Sequence, residues 1–412
     1  MRNPFRPHPK TIQPLQSGPL AAHLASFAAL LTQQRYSRVT GWNKLRLVAD
    51  LSNWMVQIKL QLEYLNEQQA AKFLDWRWQR VVYHSGDKCT LALLLKHLRQ
   101  LDVVPPPTPA PLTPIDVIER DYGRFLRQER GFMSASVGQY LTVARRFLWH
   151  RFRNGKIRLK ELCTKDVSDF VLKDSSIRGR RSAQLMTSVL RSFLNYLFQE
   201  GRTANNFATA IPATAGGRLS ELPRYLDAAQ VEKLLGCCDR RSHVGRRDHA
   251  VLVLLARLGL RASEVAGLEL DDIDWAAGEL IIRGKGNRVD RMPLLQEVGK
   301  AVADYLKRGR PRCSTRRVFV HCKAPHAGFS SPPNAVSSIV HRALARAGLN
   351  PLNHGAHLLR HSLATNLLRN GASLTQIGQV LRHQQTQTTE IYAKVDVNAL
   401  RALAQPWPGG AQ

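Results

Sequence analysis

Residues 357–361 read HLLRH, and residues 381–392 read LRHQQTQTTEIY. The first stretch places two histidines four residues apart with an arginine between them, and the second ends in a tyrosine nine residues after a histidine. Upstream, Arg261 lies in the segment GLRASEV, directly after a strongly apolar helix pattern, and Lys285 follows 24 residues later in a GKGN turn. An apolar core would not select these polar residues, so they are candidates for function.

Each of these residues has a structural explanation when it is considered alone. Arg261 could pair with Glu264 one helical turn later, and Lys285 could be an exposed lysine of a turn. Tyr392 could be a core tyrosine with its hydroxyl group at the surface. The complete set is harder to explain in this way, because its members follow one another in a particular order and spacing.

An arginine in a helix corner, a hairpin lysine, His-x-x-Arg, a further histidine and then a tyrosine form a pattern that resembles the tyrosine recombinases, also called phage integrases. The resemblance spans residues 224–404 with its motifs and extends more loosely back to about residue 113. It implies a mainly α fold with a small β-sheet. A helical core-binding (SAM-like) domain would precede an α+β catalytic domain, and an extra helical unit would lie at the N-terminus.

The resemblance also implies the chemistry. Two guanidinium groups suit the charge that builds up on phosphate oxygens in the transition state, and a tyrosine needs help to lose its proton because its ordinary pKa is about 10. A covalent 3′-phosphotyrosyl link would form, and neither a metal, nor ATP, nor any other cofactor would be required. The implied roles are phosphate binding for Arg261, Arg360 and His383, the nucleophile for Tyr392, its base for His357, and the acid on the leaving oxygen for Lys285.

Two positions depart from the resembled pattern. Leu358-Leu359 stands where Asp-Leu is frequent, and Arg382 stands before His383 where glycine is usual. Arg382 could add a contact to DNA or could disturb the turn that presents His383. His361, directly after Arg360, matches a common neighbour in the family and is interpreted as structural.

The composition indicates a polyanionic partner, either nucleic acid or an anionic membrane surface. The chain has 412 residues with 60 Lys and Arg against 31 Asp and Glu, a formal charge of +29, and such a charge attracts polyanions. Basic residues between positions 145 and 181 are expected to face phosphates. They are Arg145, Arg146, Arg151, Arg153, Lys156, Arg178, Arg180 and Arg181.

Other classes of protein and site are disfavoured. No run reaches the ~20 apolar residues of a membrane span, and the apolar stretch 20–31 is not followed by the small-residue cleavage site of a signal peptide. The six cysteines lack paired spacing. His357 and His361 have the spacing of a zinc-protease helix, but position 358 lacks the required Glu, and Cys313, His321, Cys322 and His326 have no regular ligand spacing.

Composition along the chain predicts five parts. Six prolines concentrate near residues 105–114 and indicate a stiff linker, and the stretch 214–220 indicates a second hinge. The predicted parts are an N-terminal helical unit of unclear role (1–104), the linker (105–114), the core-binding domain (115–214), the catalytic domain (222–404) and a C-terminal tail (405–412).

Apolar spacing predicts the elements within these parts. The predicted N-terminal helices are 44–62, 66–78 and 91–98, and those of the core-binding domain are 115–128, 134–151, 160–171 with Thr164 as N-cap, and 181–199. The predicted catalytic-domain elements are helices from Asp227 to 235 and from 246 to 260, strands 279–283 and 289–294 with the GKGN turn between them, and further helices broken at 330–334 and 350–355.

The expected partner is double-stranded DNA. A short apolar helix over 397–404 is expected either to pack on its own domain or to dock into a neighbouring protomer, which would give a homo-oligomer, a tetramer, on DNA. Partner recombinases or accessory proteins are further expected partners, and the expected location is the cytoplasm, at the nucleoid. Two alternative functions are a DNA-binding accessory protein without efficient catalysis and a DNA-relaxing enzyme like the type IB topoisomerases.

Overall fold

The fold is given by a computed structural model that describes residues 18–82, 84–107, 112–153, 156–212, 223–284, 288–329, 332–352 and 354–395. Lys285, the hinge at 214–220, part of the proline-rich linker, and the predicted helix and tail beyond residue 395 lie outside these ranges.

The described chain is mainly α with one small antiparallel sheet, which confirms the predicted fold class. It divides into two compact units. The described residues up to Pro107 and from residue 223 onward form one unit, and those between 112 and 212 form the other. No helix in the described ranges is long and apolar enough to cross a membrane.

The N-terminal part of the chain is a four-helix cluster with its own apolar core. Ser37 caps the second helix by accepting a hydrogen bond from the backbone N–H of Thr40 at 3.2 Å. This helix therefore begins six residues before the predicted start at Lys44. Asn66 caps the third helix, which begins one residue after the predicted start. The helices are α1 (Leu24–Gln33), α2 (Arg38–Gln57), α3 (Glu67–Trp78) and α4 (Asp87–Gln100).

The unit between residues 112 and 212 is entirely helical where it is described. Thr113 and Asp116 form a capping box at the start of its first helix. Thr164 is not an N-cap, contrary to the prediction: Cys163 occupies that position because the Asp166 carboxylate accepts the backbone N–H of Cys163 at 3.0 Å. The helices are α5 (Pro114–Gln128), α6 (Ser134–Phe152), α7 (Thr164–Ile177) and α8 (Arg180–Gln199).

Several basic residues of this unit that are expected to face phosphates also take part in ion pairs. Arg151 contacts Asp166 at 2.7 Å, and Arg178 contacts Asp174 at 3.0 Å. Arg145 pairs with Asp116 and Glu119.

The part from residue 223 onward is built around one buried helix, α10 (His243–Leu258). Its residues 250–255 are all fully enclosed. Asp227 caps the preceding helix as predicted. Helices α12, α13 and α14 pack on α10. The helices are α9 (Ala228–Gly236), α10 (His243–Leu258), α11 (Ala262–Gly267), α12 (Gln296–Arg308), α13 (Pro332–Arg346), α14 (His357–Arg369) and α15 (Leu374–Val380).

The small sheet has the order β1-β2-β3, with β1 at Ile273–Asp274, β2 at Glu279–Arg283 and β3 at Val289–Pro293. The hairpin of β2 and β3 confirms the sequence-based prediction, whereas the two-residue β1 was not predicted because it is too short to show alternation. Leu280 and Ile282 point into the core. The Gly284 N–H donates to the Arg288 carbonyl at 2.7 Å and closes the ladder beside the turn that carries Lys285.

Candidate active site

The corner after α10 presents Arg261. Gly259 ends α10 in the left-handed conformation (φ +59°), which an L side chain adopts only with strain. A Cβ at this position would also lie 2.7 Å from Leu381 Cδ2. Arg261 then caps α11, and its guanidinium group donates to Glu264 Oε1 at 2.7 Å while its backbone N–H donates to Oε2 at 2.8 Å. The ion pair with Glu264, which was considered as a purely structural reason for Arg261, is thus present. It orients the Arg261 side chain.

Arg360 is a buried cation on α14 that joins two other elements. Its Nη1 donates to the carbonyl of Gly259 and its Nη2 to the carbonyl of Leu381, so the end of α10 and the end of α15 are bonded to one guanidinium group. Burial, and next the positive charge of Arg261, lower the pKa of Arg360 to about 10. The group therefore stays protonated at neutral pH in a pocket that already holds another cation.

His383 lies directly beyond the end of α15. Its backbone N–H donates to the carbonyl of Gly378 at 2.9 Å, and its Nδ1 lies 2.7 Å from the Thr389 hydroxyl oxygen. Burial lowers the pKa of His383 to about 4, and the nearby charges, led by that of Arg360, act in the same direction. The imidazole is consequently neutral at physiological pH.

Tyr392 lies in a short 3-10 helix, Glu390–Val395, and its side chain is buried among apolar residues of α14 and α15. Its hydroxyl oxygen lies 2.9 Å from Nδ1 of His361. Burial raises the pKa of Tyr392 to about 12, and the guanidinium group of Arg360 opposes this rise. The phenol is therefore protonated at neutral pH, and its hydroxyl group is within hydrogen-bond distance of a ring nitrogen.

The structure brings four of the six predicted site residues together. Arg261 and Arg360 both act electrostatically on His383, and Arg360 also acts on Tyr392. His357 is exposed at the first residue of α14, one turn before His361, with 6.3 Å between their ring centroids. Lys285 lies outside the described residues, although both flanks of its turn are described.

The departure at Arg382 neither disturbs the turn nor adds a surface cation. The Arg382 N–H donates to the carbonyl of Gln379 at 3.0 Å, so the turn into His383 is intact. Its side chain is only 7% exposed and donates to Glu264 at 2.7 Å. Sequence reasoning considered a DNA contact or a damaged turn, but the guanidinium group is directed into the protein.

Three residues of this site were missed or undervalued in the sequence. His361 was interpreted as structural, yet it contacts the Tyr392 hydroxyl. Glu264 was recognisable as a partner of Arg261, because it lies one helical turn later. Its second partner, Arg382, lies 118 positions further along the chain and could not be recognised in this way. Thr389, which contacts His383, had no signal at all. In the parts of the chain that are described, no group of three or more His, Cys, Asp or Glu side chains could hold a metal ion.

Two arginines, two histidines and a buried tyrosine thus converge where α10 and α15 end and α14 begins, an arrangement suited to phosphoryl transfer to a tyrosine. The Phage integrase family profile matches residues 224–399. The protein y4rA of Sinorhizobium fredii, whose name assigns it to the integrase/recombinases, is 43% identical over 397 residues, which is 96% of each chain. The tyrosine recombinase XerC of Azotobacter vinelandii is 35% identical over 54% of this chain and 72% of its own.

Solved structures show the same fold. The recombinase XerH bound to a palindromic difH substrate matches 84% of this chain and 98% of its own with a TM-score of 0.54 at 18% identity. A lambda integrase dimer bound to a COC′ core site matches 72% of this chain and 98% of its own with a TM-score of 0.51 at 18% identity. The chain belongs to the phage integrase family. It is a tyrosine recombinase, as the order of its motifs predicted.

Proposed function

We propose that this enzyme cuts and rejoins duplex DNA at specific sites through a covalent 3′-phosphotyrosyl intermediate formed by Tyr392. The observation that carries the proposal is the contact of the Tyr392 hydroxyl with His361 beside the buried cation of Arg360. A buried phenol with a raised pKa needs both an acceptor for its proton and a positive charge near the product phosphoester, and this site supplies both.

The two arginines bind the scissile phosphate. A guanidinium group has five N–H donors, and the carbonyl groups of Gly259 and Leu381 engage two of those of Arg360. The other donors remain for phosphate oxygens. Arg261 is 34% exposed on its side chain, so a phosphate can reach it without unfolding of the corner. Charge that develops on the oxygens in the transition state strengthens both contacts.

His361 accepts the proton of the nucleophile in this scheme. The family pattern gave this role to His357, but His361 has the ring nitrogen in hydrogen-bond contact with the Tyr392 hydroxyl, and a base must be within such reach. His357 is exposed one turn away, and we assign it a contact with the DNA backbone.

His383 donates a hydrogen bond to the same phosphate. The ring is neutral because its pKa is lowered to about 4, and a neutral imidazole carries one proton on one of two nitrogens. When the Thr389 hydroxyl donates to Nδ1, at 2.7 Å, the proton lies on Nε2 and points away from Thr389. Thr389 thus selects the tautomer that can bind an anion.

The leaving 5′-oxygen takes its proton from Lys285. The bond from phosphorus to the 5′-oxygen breaks as the tyrosine oxygen binds phosphorus, and the number of phosphoester bonds is unchanged. A 5′-hydroxyl of a second strand can therefore reverse the step on a new partner. For this reason the reaction is proposed to need neither ATP nor a metal ion.

The remaining positive charge binds the DNA along its backbone. Because each neutralised phosphate releases counterions, affinity for duplex DNA should fall steeply with salt and little with sequence change outside the target. The segment beyond residue 395 is proposed to dock into a neighbouring protomer and to support a tetramer on two sites. Removal of residues 396–412 should then lower cooperative assembly on DNA, measured by gel shift, while the monomer stays folded; unchanged assembly would contradict this part of the proposal.

A nicked suicide substrate from the DNA that flanks the gene tests the chemistry. The wild type should form a covalent protein–DNA adduct in EDTA without nucleotide, and Tyr392→Phe should form none at equal DNA affinity. An assay with two target sites should then yield exchanged strands, whereas an enzyme of the topoisomerase type would relax supercoils without exchange. A wild type that binds the sites and forms no adduct would favour the binding-only alternative.

A further inference from the structure

Arg382 occupies a backbone conformation that favours glycine. Its φ angle is +54°, in the left-handed region that L side chains seldom adopt. Glycine, which is usual at this position in the resembled pattern, would take up the same conformation without strain. The arginine retains the turn, because its backbone N–H donates to the carbonyl of Gln379 at 3.0 Å. Strain of this kind persists only where the surroundings hold the residue in place.

The side chain of Arg382 is held by a buried carboxylate of α11. Its Nη2 donates to Glu264 Oε2 at 2.7 Å, and the two side chains are only 7% and 2% exposed. A charge-assisted hydrogen bond is strong where water is excluded. Two further contacts reach β3, since Nε lies 3.6 Å from Asp290 Oδ2 and Nη1 contacts the sulfur of Met292. The pair with Glu264 is the shorter of the two ion pairs and is therefore the main anchor of this guanidinium group.

The same carboxylate orients Arg261. Oε1 of Glu264 accepts from Arg261 Nη1 at 2.7 Å, and Oε2 accepts from the Arg261 backbone N–H at 2.8 Å. Burial alone would raise the pKa of Glu264, but the hydrogen bond from the Arg261 backbone and the charges of Arg382 and Arg261 hold this pKa below its usual range. Glu264 is therefore ionised, and one carboxylate holds the guanidinium groups of both arginines.

Two links join the corner that carries Arg261 to the turn that carries His383. One is Arg360, which donates to a backbone carbonyl group on each side. The other is the ion pair of Arg382 with Glu264. Glu264 lies three residues after Arg261, and Arg382 directly precedes His383. The second link therefore acts close to both phosphate-binding side chains, and a glycine at position 382 would leave only the first.

We infer that Arg382 is a positioning residue that acts through Glu264 on Arg261. It keeps the guanidinium group of Arg261 in register with the ring of His383 at the scissile phosphate. The inference rests on the proposed function, because it concerns the placement of the donors that bind this phosphate. Without Arg382, the corner and the turn lose the tie beside these donors. The Arg261 side chain is 34% exposed, so it can then leave the position in which it meets the transition state.

A double-mutant cycle provides a direct test. Arg382→Gly removes the ion pair and suits the positive φ, so it should fold, which a thermal unfolding curve checks. Single-turnover cleavage of a nicked substrate should fall by roughly tenfold or more, while DNA affinity changes by less than about twofold, because a small misplacement of a catalytic group lowers the rate rather than binding. In the background of Arg261→Ala, the same change should lower the rate by less than about threefold, since the residue through which it acts is already gone.

Matched variants separate the charge of Arg382 from its bulk and its backbone strain. Arg382→Lys and Arg382→Met both keep a long side chain at the positive φ, but only the lysine offers a cation to Glu264. The lysine variant should cleave at least about threefold faster than the methionine variant, and this comparison decides the matter even if Arg382→Gly does not fold. Asp290→Asn is the control, because it removes the longer ion pair of Arg382 and leaves that with Glu264. It should cleave like the wild type.

Three outcomes overturn the inference. The first is wild-type cleavage by Arg382→Gly. The second is the same loss of rate in the Arg261→Ala background as in the wild type, which would show a defect that does not pass through Arg261. The third is equal cleavage by the lysine and methionine variants. If the wild type itself forms no Tyr392 adduct, the proposed function fails and the inference fails with it, and this result is distinguishable from the other three.

Discussion

Nδ1 of His361 lies 2.9 Å from the hydroxyl oxygen of Tyr392, and the two rings are inclined at 60° with centroids 5.7 Å apart. This contact joins α14 to the 3-10 helix that carries the tyrosine. Since Tyr392 is almost wholly buried, with 1% of its surface exposed, few other groups can receive its proton in this position. The histidine one residue after Arg360 is therefore the group that we propose as the proton acceptor.

Replacement of His361 by Ala should slow adduct formation by about 10²-fold or more, the usual effect of losing a positioned base. The residual rate should rise with pH up to the limit of protein stability, because the pKa of Tyr392 is raised to about 12 and hydroxide must then remove the proton. Single-turnover cleavage of a suicide substrate between pH 7 and pH 9.5 measures both effects. His357→Ala is the matched control on the same helix. A larger loss in His357→Ala than in His361→Ala would return the base to the position that the sequence pattern favoured.

Replacement of Arg360 and replacement of Arg261 should differ in their effect on protein stability, although both residues are proposed to bind the phosphate. Each change to Ala should lower the cleavage rate by about 10²- to 10³-fold and leave DNA affinity within a few fold. Arg360→Ala also leaves the carbonyls of Gly259 and Leu381 without their donor in a buried place, which costs about 1–3 kcal/mol for each unsatisfied group. Denaturant unfolding should therefore show a larger loss for Arg360→Ala than for Arg261→Ala. Equal losses of stability, or a loss of affinity without a loss of rate, would contradict these assignments.

Gly259→Ala should destabilise the protein for two reasons at once. The positive φ strains any L side chain by about 1–2 kcal/mol, and the new Cβ would lie 2.7 Å from Leu381 and 3.0 Å from Leu363, which adds an overpacking cost of about 1–3 kcal/mol. Gly278→Ala is the control, since Gly278 has a φ of +65° but no atom within 4 Å of a Cβ. In urea, the free energy of unfolding should be clearly lower for Gly259→Ala than for Gly278→Ala. Cleavage should also fall only for Gly259→Ala, because its carbonyl anchors Arg360.

His383 should make the folded state less stable as the pH falls. Its pKa is lowered from 6.5 to about 4 on folding, so between these values the unfolded chain binds a proton that the folded chain does not. The stabilising contribution is complete above pH 6.5 and is lost as the pH falls toward 4. Thermal unfolding at pH 7 and pH 5 should therefore show a smaller pH effect for His383→Gln than for the wild type. Other histidines with lowered pKa remain in both proteins and cancel in the comparison; an identical pH effect would show that His383 titrates normally.

Local sequence was sufficient for most of the helices and for the order of the motifs. Asp227 caps a helix where its spacing predicted, because an N-cap interacts with residues only three positions away. The β2–β3 hairpin was also predictable, since its turn and alternation are local. The start of the helix that Ser37 caps was predicted six residues too late, and the two-residue β1 was missed. In both cases propensity changes little over so few residues.

The contacts that organise the site could not be inferred in this way. Glu264 binds Arg382 across 118 positions, Arg360 binds Gly259 across 101, and His361 binds Tyr392 across 31. The amino-acid order alone identified the family, the types of catalytic side chain and the excess of positive charge. The packing of α14 against α10 and of α15 against α14 then determined which histidine meets the tyrosine and directed the Arg382 side chain to Glu264. The physical reason is that hydrogen bonds and ion pairs depend on distances of a few ångströms, which chain order does not specify until the apolar core brings distant segments together.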